Sequence, residues 1–180
     1  MRQTGGPTAA VIALHNPAVR VEVVDRDQRR IDRWNSAHLP IHEPGLNNIV
    51  RLTRDGAIFK KSHREQDPLS HRNNGQHGTF SSRPANLFFT TDAIESISKA
   101  DMIFLAVNTP TKTSGVGAGR ATSMTALDGA VKEVALYAKP GTFIVEKSTV
   151  PCGTAQRIRQ TVRPLIPSSR DYHVLCVQID

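Results

Sequence analysis

Strand-like and helix-like stretches alternate along this sequence, and the alternation restricts its fold more than any other feature. Apolar, β-branched stretches typical of strands lie at residues 19–25, 87–90, 102–107, 142–146 and 172–177. Stretches typical of helices lie around them, at residues 7–14, 27–36, 46–54, 92–100, 124–138 and 152–162. Such alternation makes each helix a crossover between parallel strands. The sequence therefore predicts one α/β domain with no internal repeat.

A polar segment at residues 56–84 interrupts the alternation. From residue 60 to residue 84, Leu69 and Phe80 are the only bulky apolar residues, too few to offset the entropy lost on ordering. We expect a disordered insertion at residues 56–84. Five Lys or Arg against two acids give residues 60–83 a charge of +3, so much of the net charge of +7 belongs to this insertion.

Composition narrows the classes of function. A net charge of +7 would favour nucleic acid, but its position in the insertion and the lack of an aromatic-rich strand argue against an RNA-binding module. We expect no nucleic-acid partner. The longest apolar runs are about six residues, far below the roughly 20 that a membrane helix needs. We therefore expect no membrane partner and a cytoplasmic location.

The histidines and cysteines do not follow a metal-binding pattern. His63, His71 and His77 in the insertion have no acidic or cysteine ligands at fixed offsets. Cys152 and Cys176 have no second Cys or His at ligand spacing. We expect no metal site and no disulfide framework.

Ligands of α/β sheets bind at the carboxyl ends of the strands, where the loops leave the sheet. Asp25 ends the strand-like run VRVEVVD, about 20 residues after the glycines that open the first helix. Its carboxylate is placed to accept hydrogen bonds from both hydroxyls of an adenosine ribose. Its negative charge disfavours a 2'-phosphate, so the residue favours NAD over NADP. The alternative is that Asp25 only caps the next helix.

The run GGPT, residues 5–8, is similar to the last part of a dinucleotide-binding fingerprint. A working fingerprint also needs a strand and two earlier glycines, so that backbone amides approach the pyrophosphate. The preceding residues MRQT supply neither. We therefore expect a sheet that lacks its first strand.

Two later strand ends carry hydroxyl and amide groups. One strand runs into residues 108–111, NTPT, and another runs into Lys147, Ser148 and Thr149 ahead of Pro151. Such groups suit the nicotinamide ribose and the pyrophosphate oxygens of a dinucleotide. The alternative for the second loop is that Ser148 or Thr149 caps the helix that follows.

Five motifs carry a family resemblance: VVD with Arg30 five residues on, LPIHEPGL, NLFFTTD, VNTPTKT and EKSTVP. In this order they resemble the N-terminal half of the eukaryotic UDP-glucose 6-dehydrogenase family. The run TKTSGVGAGR departs from the family pattern at Ser114 and Ala118, where the family has tyrosine and lysine. Its glycines are expected to serve a crossover beside a dimer contact.

The resemblance implies a Rossmann-like doubly wound parallel sheet, lacking its first strand here, with NAD as cofactor. It implies two successive hydride transfers that convert UDP-glucose to UDP-glucuronate, by a homo-oligomer when the enzyme is complete. The family's cysteine nucleophile lies further along than residue 180. We therefore expect residues 1–180 to be an incomplete NAD-binding domain, with the catalytic C-terminal domain absent and no activity of its own.

The resemblance also assigns site residues. Gly5 falls on the last glycine of the fingerprint, and Asp25 and Arg30 fall on positions that hold the adenosine ribose. Thr149 falls on a threonine beside the reacting centre and is the catalytic candidate. The other expected cofactor-binding residues are Val107, Asn108, Thr109, Pro110, Thr111 and Ser148.

Two alternatives stay open at this point. One is a non-catalytic remnant that binds nucleotide or pairs with full-length subunits. The other is a dehydrogenase of another nucleotide sugar, because shorter versions of the same motifs occur across that wider family.

Overall fold

A computed structural model describes residues 5–60, 80–116, 118–148, 150–151, 153–163 and 173–176. They form two compact units, one within Met1–Thr90 and one within Thr91–Asp180. Within these residues no helix is long and apolar enough to span a bilayer.

The first unit contains three helices and four short strands. In chain order they are α1 (Gly5–His15), β1 (Val21–Val24), α2 (Gln28–Asn35), α3 (Leu46–Arg54), β2 (Ala57–Lys60), β3 (Phe80–Arg83) and β4 (Leu87–Thr90). Strands β1 and β4 are parallel, with Val21 opposite Leu87 and Val24 opposite Thr90. Strands β2 and β3 form a separate antiparallel pair.

The core of the first unit is built around one tryptophan. Trp34 of α2 stacks on Phe89 of β4, with ring centroids 5.0 Å apart and planes inclined by 6°. A Cβ atom on Gly6 would lie only 2.2 Å from a carbon of the Trp34 ring. The glycine at position 6 is therefore required for the close approach of α1 to this ring.

Asn86, just before β4, stabilises the C-terminal end of α1. Its buried side-chain amide donates to the carbonyl oxygens of Ala13, Asn16 and Val19 at 3.0, 3.1 and 2.9 Å. Carbonyl groups at a helix C-terminus have no partner within the helix. Asn86 supplies partners there and so fixes where the chain turns from α1 into β1.

The second unit contains three helices and a three-stranded sheet. Its elements are α4 (Ala93–Lys99), β5 (Met102–Leu105), α5 (Thr125–Tyr137), β6 (Phe143–Glu146), α6 (Thr154–Val162) and β7 (His173–Cys176). The strand order is β5-β6-β7 and all neighbours are parallel. The buried residues of α5, namely Leu127, Val131, Val134 and Ala135, recur at helical spacing and pack with Leu105 and Ile144 of the sheet.

The predicted α/β class and the predicted element order are confirmed. Each predicted helix and each predicted strand is present within about three residues of its expected bounds, a normal uncertainty for such boundaries. The doubly wound order 3-2-1-4-5-6 without its first strand leaves a pair 3-2 and a triple 4-5-6. The observed parallel groups β4-β1 and β5-β6-β7 match this pair and this triple.

The expected disordered insertion at residues 56–84 differs from the structure at its two flanks. There β2 and β3 pair antiparallel, with Ala57 opposite Arg83. Composition favoured disorder across this segment, whereas the flanks are ordered by pairing between residues distant in sequence. Residues 61–79 lie outside the described ranges, and for them disorder stays a prediction. The described residues divide into the two compact units given above, and the expected single NAD-binding domain stays a prediction.

Candidate functional site

Asp25 lies immediately after β1, at the carboxyl end of the strand. Its backbone N–H donates to the carbonyl of Thr90 at 3.2 Å and so continues the ladder with β4. Its Oδ1 accepts from the backbone N–H of Asp27 at 2.9 Å. The N-cap of α2 is Asp27, whose side chain accepts from the N–H of Arg29. Asp25 therefore does not serve as the helix cap, which removes the simpler explanation of its position.

Arg30 links the two carboxylates at this strand end. Its Nη1 lies 2.9 Å from Oδ2 of Asp25, and its Nε lies 3.0 Å from Oδ2 of Asp27. The hydrogen bond from Arg30 is the main cause that holds the pKa of the Asp27 carboxyl below its ordinary value of 3.8. Burial acts in the opposite direction, and the N–H of Arg29 again lowers the pKa. The structure thus brings together Asp25 and Arg30, the two residues expected to hold a ribose.

The Asp25 carboxylate stays accessible despite these contacts. Its side chain is 27% exposed and that of Arg30 is 43% exposed. Each carboxylate oxygen has two acceptor positions, and only one on each oxygen is occupied by the two contacts described. The carboxylate can therefore accept two hydroxyl protons from a vicinal diol, the arrangement that an adenosine ribose presents.

Ser148 joins two strand ends in the second unit. Its hydroxyl donates to the carbonyl of Leu105 and accepts from the N–H of Val107, both at 3.1 Å. The backbone N–H groups of Lys147 and Ser148 donate to the same Leu105 carbonyl at 3.0 and 3.2 Å. The backbone after β5 is therefore held against the backbone after β6, and Val107 and Ser148 are brought together as expected.

The alternative role for Ser148, as a helix cap, is wrong. Helix α6 begins at Thr154 with Gly153 as its N-cap, and Gly153 has φ of 87°. Ser148 lies ahead of this cap and its hydroxyl bonds the β5 loop instead. Thr149, the catalytic candidate, and Cys152 lie outside the described residues, so the assignment of Thr149 stays a prediction.

The residues after Val107 form a narrow loop that returns to its own start. Thr111 and Thr122 form an antiparallel bridge, and the N–H of Ser123 donates to the carbonyl of Pro110 at 2.7 Å. Gly115 and Gly119 have φ of 75° and 74°, a left-handed conformation that L side chains rarely adopt. The glycines in the loop therefore let the chain reverse direction. Their expected place beside a dimer contact stays a prediction.

The other expected cofactor residues lie along the start of this loop. Asn108, Pro110 and Thr111 are exposed and Thr109 is half-buried. Gly5 is the first residue of α1 and is half-buried. The common use of Gly5 and these residues by one cofactor stays a prediction.

Glu146 is a residue to which the sequence interpretation gave no role. It ends β6 directly before Lys147 and Ser148, and only 1% of it is exposed. Its register partners are Leu105 and Cys176, so it occupies a position on the strand face that also carries Ile144. Glutamate is rarely buried so completely outside functional or paired sites. The signal in the sequence was an acidic residue ending an otherwise apolar strand.

Metal binding has no support in the described part of the chain. No group of three or more His, Cys, Asp or Glu side chains there is arranged to hold a metal ion.

Comparison with known proteins identifies the family of this chain. A sequence model described as the UDP-glucose/GDP-mannose dehydrogenase family, NAD binding domain, matches residues 3–71 and 78–178. The chain belongs to this family. Because the matched domain of the UDP-glucose/GDP-mannose dehydrogenase family binds NAD, the cofactor is NAD. A contact between the Asp25 carboxylate and the ribose of that cofactor stays a prediction.

Plant enzymes are among the relatives in this family. UDP-glucose 6-dehydrogenase 3 of Oryza sativa subsp. japonica is 42% identical over 156 residues, which are 87% of this chain and 26% of the relative. UDP-glucose 6-dehydrogenase 1 of Arabidopsis thaliana is 39% identical over the same shares. The chain thus spans about a quarter of the length of these relatives.

Solved structures of the family share the fold. GDP-mannose dehydrogenase of Pseudomonas aeruginosa aligns with a TM-score of 0.70 and 19% identity, over 97% of this chain and 33% of that one. A UDP-glucose dehydrogenase of Pyrobaculum islandicum aligns with a TM-score of 0.66 and 20% identity, over 97% and 33%. Both support the predicted Rossmann-like fold.

Proposed function

We propose that this chain is the NAD-binding part of a UDP-glucose 6-dehydrogenase, which oxidises UDP-glucose to UDP-glucuronate in two NAD-dependent steps. The observation that carries the proposal is the accessible Asp25 carboxylate, paired with Arg30 at the end of β1. It lies in a chain 42% identical to a plant UDP-glucose 6-dehydrogenase. A carboxylate at this place suits the adenosine ribose of NAD.

Each part of the proposed site has a separate task. NAD supplies the hydride acceptor. Asp25 accepts the hydroxyl protons of the adenosine ribose and Arg30 fixes the orientation of that carboxylate. Ser148 holds the backbone at Val107 in place, so that the amide and hydroxyl groups of the following loop meet the rest of the cofactor. Thr149 is proposed to lie beside the reacting centre.

In this proposal UDP-glucose is the substrate of the complete enzyme, and the complete enzyme is a homo-oligomer. These 180 residues correspond to about a quarter of the length of the plant relatives. The resemblance places the cysteine that forms the covalent intermediates in the remaining length, and a thiol suits that step because its thiolate attacks an aldehyde readily. We therefore propose that these 180 residues alone bind NAD without oxidising UDP-glucose.

Two measurements on the purified chain test this function. Titration calorimetry with NAD is expected to show binding, and Asp25→Ala is expected to weaken it by about tenfold or more, the value of roughly one lost charged hydrogen bond. Asp32→Ala is the matched control, because Asp32 is an exposed carboxylate on α2 that bonds Gln28. Equal weakening in both variants would show that Asp25 does not hold the ribose.

The second measurement is NADH absorbance after addition of UDP-glucose and NAD, with the rice relative as positive control. No turnover is expected. Turnover in proportion to the purified chain would contradict the proposed lack of activity.

A non-catalytic remnant is the second candidate. It predicts pairing with complete subunits without any effect of NAD. Size-exclusion chromatography of the chain mixed with the rice enzyme distinguishes the two. Co-elution together with absent NAD binding would support the remnant over the cofactor-binding role.

A further inference from the structure

The C-terminal end of α1 lies beside a buried donor that lacks an acceptor. Arg83 of β3 donates from Nη2 to the carbonyl oxygens of Ala13 and Leu14 at 2.7 and 2.9 Å. Its Nε is buried, and within the described part of the chain this N–H has no hydrogen-bond partner. A buried N–H group without a partner lowers stability, so native structures usually supply an acceptor.

A buried acceptor that lacks a donor lies beside the same carbonyl group. Asn86 is only 5% exposed, and its Nδ2 donates to the carbonyl of Ala13 at 3.0 Å. Its Oδ1 accepts from no group among the residues that the structure describes. Nη2 of Arg83 and Nδ2 of Asn86 thus meet at one carbonyl oxygen, and each orphaned atom is one carbon away from the nitrogen that binds there. The orphaned donor and the orphaned acceptor therefore belong to one small region.

The other contacts of the two side chains hold them in place. Nδ2 of Asn86 serves three carbonyl groups, so a reversal of its amide would turn Oδ1 toward these oxygens and lose all three hydrogen bonds. The backbone of Arg83 lies against Gly56, where a Cβ atom would be 2.9 Å from the Arg83 carbonyl oxygen. A direct bond between Nε and Oδ1 would require one side chain to give up its present contacts.

The orphaned donor and acceptor together select one class of ligand. The ligand has to accept from the N–H of Arg83 and donate to Oδ1 of Asn86. An anion such as chloride accepts but does not donate, and a metal cation is repelled by the guanidinium charge. A water molecule both accepts and donates, and it spans roughly 5 Å between two partners because each hydrogen bond is about 2.8 Å long.

We propose that a buried water molecule binds between Nε of Arg83 and Oδ1 of Asn86 and so joins β3 to the C-terminal end of α1. Buried waters satisfy polar groups of this kind and are costly to remove. The water links the ordered flank of the polar segment at residues 56–84 to the helix. This inference goes beyond the proposed function and does not depend on it, because the water lies at the opposite end of α1 from Gly5.

A high-resolution crystal structure of the 180-residue chain tests the proposal directly. The expected result is a water oxygen within about 2.7–3.2 Å of both Nε of Arg83 and Oδ1 of Asn86. A direct bond between the two side chains, or no density between them, would overturn the proposal. A bromide soak with anomalous scattering identifies an anion at the same place, and that result would overturn the proposal as well.

A measurement in solution complements the crystal structure. Magnetic relaxation dispersion of the water oxygen counts the water molecules that stay bound to a protein. Arg83→Met is expected to lower this count by about one, because the water loses its donor and exchanges rapidly. An unchanged count would contradict the proposal.

Arg54→Met is the matched control. Nη1 of Arg54 donates to the carbonyls of Trp34 and Ser36 at the end of α2, while its Nε is bonded to Asp55 at 2.7 Å. Both variants remove an arginine that serves a helix C-terminus, but the Nε of Arg54 already has an acceptor. The water count is therefore expected to stay unchanged in the control. Equal losses in the two variants would overturn the proposal.

The tests keep this inference separate from the proposed function. Circular dichroism and the fluorescence of Trp34, the only tryptophan, verify that both variants are folded. If Arg83→Met does not fold, the crystal structure of the unmodified chain still decides whether the water is present. NAD binding has no part in either measurement, so a failure of the proposed function leaves this inference standing, and the reverse holds too.

Discussion

The two compact units hold their candidate site residues by different physical means. In the first unit, Asp25 and Arg30 are fixed by an ion pair between half-exposed charged side chains. In the second, Val107 and Ser148 are fixed by hydrogen bonds between a hydroxyl and the backbone. An exposed ion pair is weakened by added salt and by a pH at which one of its groups is neutral, whereas a hydrogen bond between a hydroxyl and the backbone is not. The contact in the first unit is therefore expected to respond to salt and pH, and the contact in the second unit is not.

The largest expected effect concerns the packing that positions the charged site. Gly6→Val is expected to destabilise the chain by about 3 kcal/mol, because a side chain there would overlap the ring of Trp34. Urea unfolding followed by Trp34 fluorescence measures it. Gly129→Ala in α5 is the control, since a Cβ there meets nothing within 4 Å. It is expected to stabilise by about 0.5–1 kcal/mol. Equal effects of both would contradict the close packing at Gly6.

A smaller loss is expected from Asn86→Ala. Its side-chain amide serves three carbonyl groups at the end of α1, and their loss is expected to cost about 2 kcal/mol. The same urea experiment measures it. Asn16→Ala provides the comparison, because Asn16 makes one exposed bond to the carbonyl of Ile12. If Asn86→Ala lowers the free energy of unfolding no more than the control does, Asn86 does not stabilise the end of α1.

Ser148→Ala tests how the second unit holds its loop. The N–H of Val107 loses its acceptor, so its hydrogen exchange is expected to quicken by about tenfold. Exchange measured by NMR gives the value for that amide. Ser98→Ala on α4 is the matched control, because its hydroxyl bonds only the exposed turn of its own helix. Unchanged exchange at Val107 would mean that Ser148 does not hold the loop.

The smallest effect is a pH dependence in the first unit. The folded-state pKa of Asp27 is lowered by Arg30, so its contribution to stability is present above the unfolded value of about 3.9 and is lost as pH falls through the lower folded value. Asp27→Asn keeps the helix cap and removes the charge. The stability gap between the two proteins is expected to close below about pH 3.9. A gap that persists in acid would contradict the ion pair with Arg30.

Local patterns predicted most of the fold, because the periodic apolar face of a helix and the end of a strand depend on residues that are close in sequence. The helix-like run at residues 124–138 and the strand at 87–90 are examples, and both are present. Strands β2 and β3 were not predicted, because their pairing joins residues 57–60 to residues 80–83 across a polar segment. Local composition carries no signal for such a distant pairing.

The sequence names candidate site residues but not the contacts that they make. Asp25, Arg30 and Ser148 were named from strand ends and family motifs, and the structure shows the partners of each. The capping role of Asp27 and the burial of Glu146 needed geometry, because a carboxylate next to a strand end has several possible roles in sequence alone. The ion pair between Asp25 and Arg30 also follows only from the structure.

The most direct test of the account is an NMR titration of the isotope-labelled chain with NAD. If the strand ends serve one cofactor, the amides of Asp25, Val107 and Ser148 will shift together, with a common dissociation constant, while that of Leu136 on α5 stays in place. Shifts confined to one unit, or different dissociation constants for Asp25 and Ser148, would contradict a single dinucleotide held by these loops.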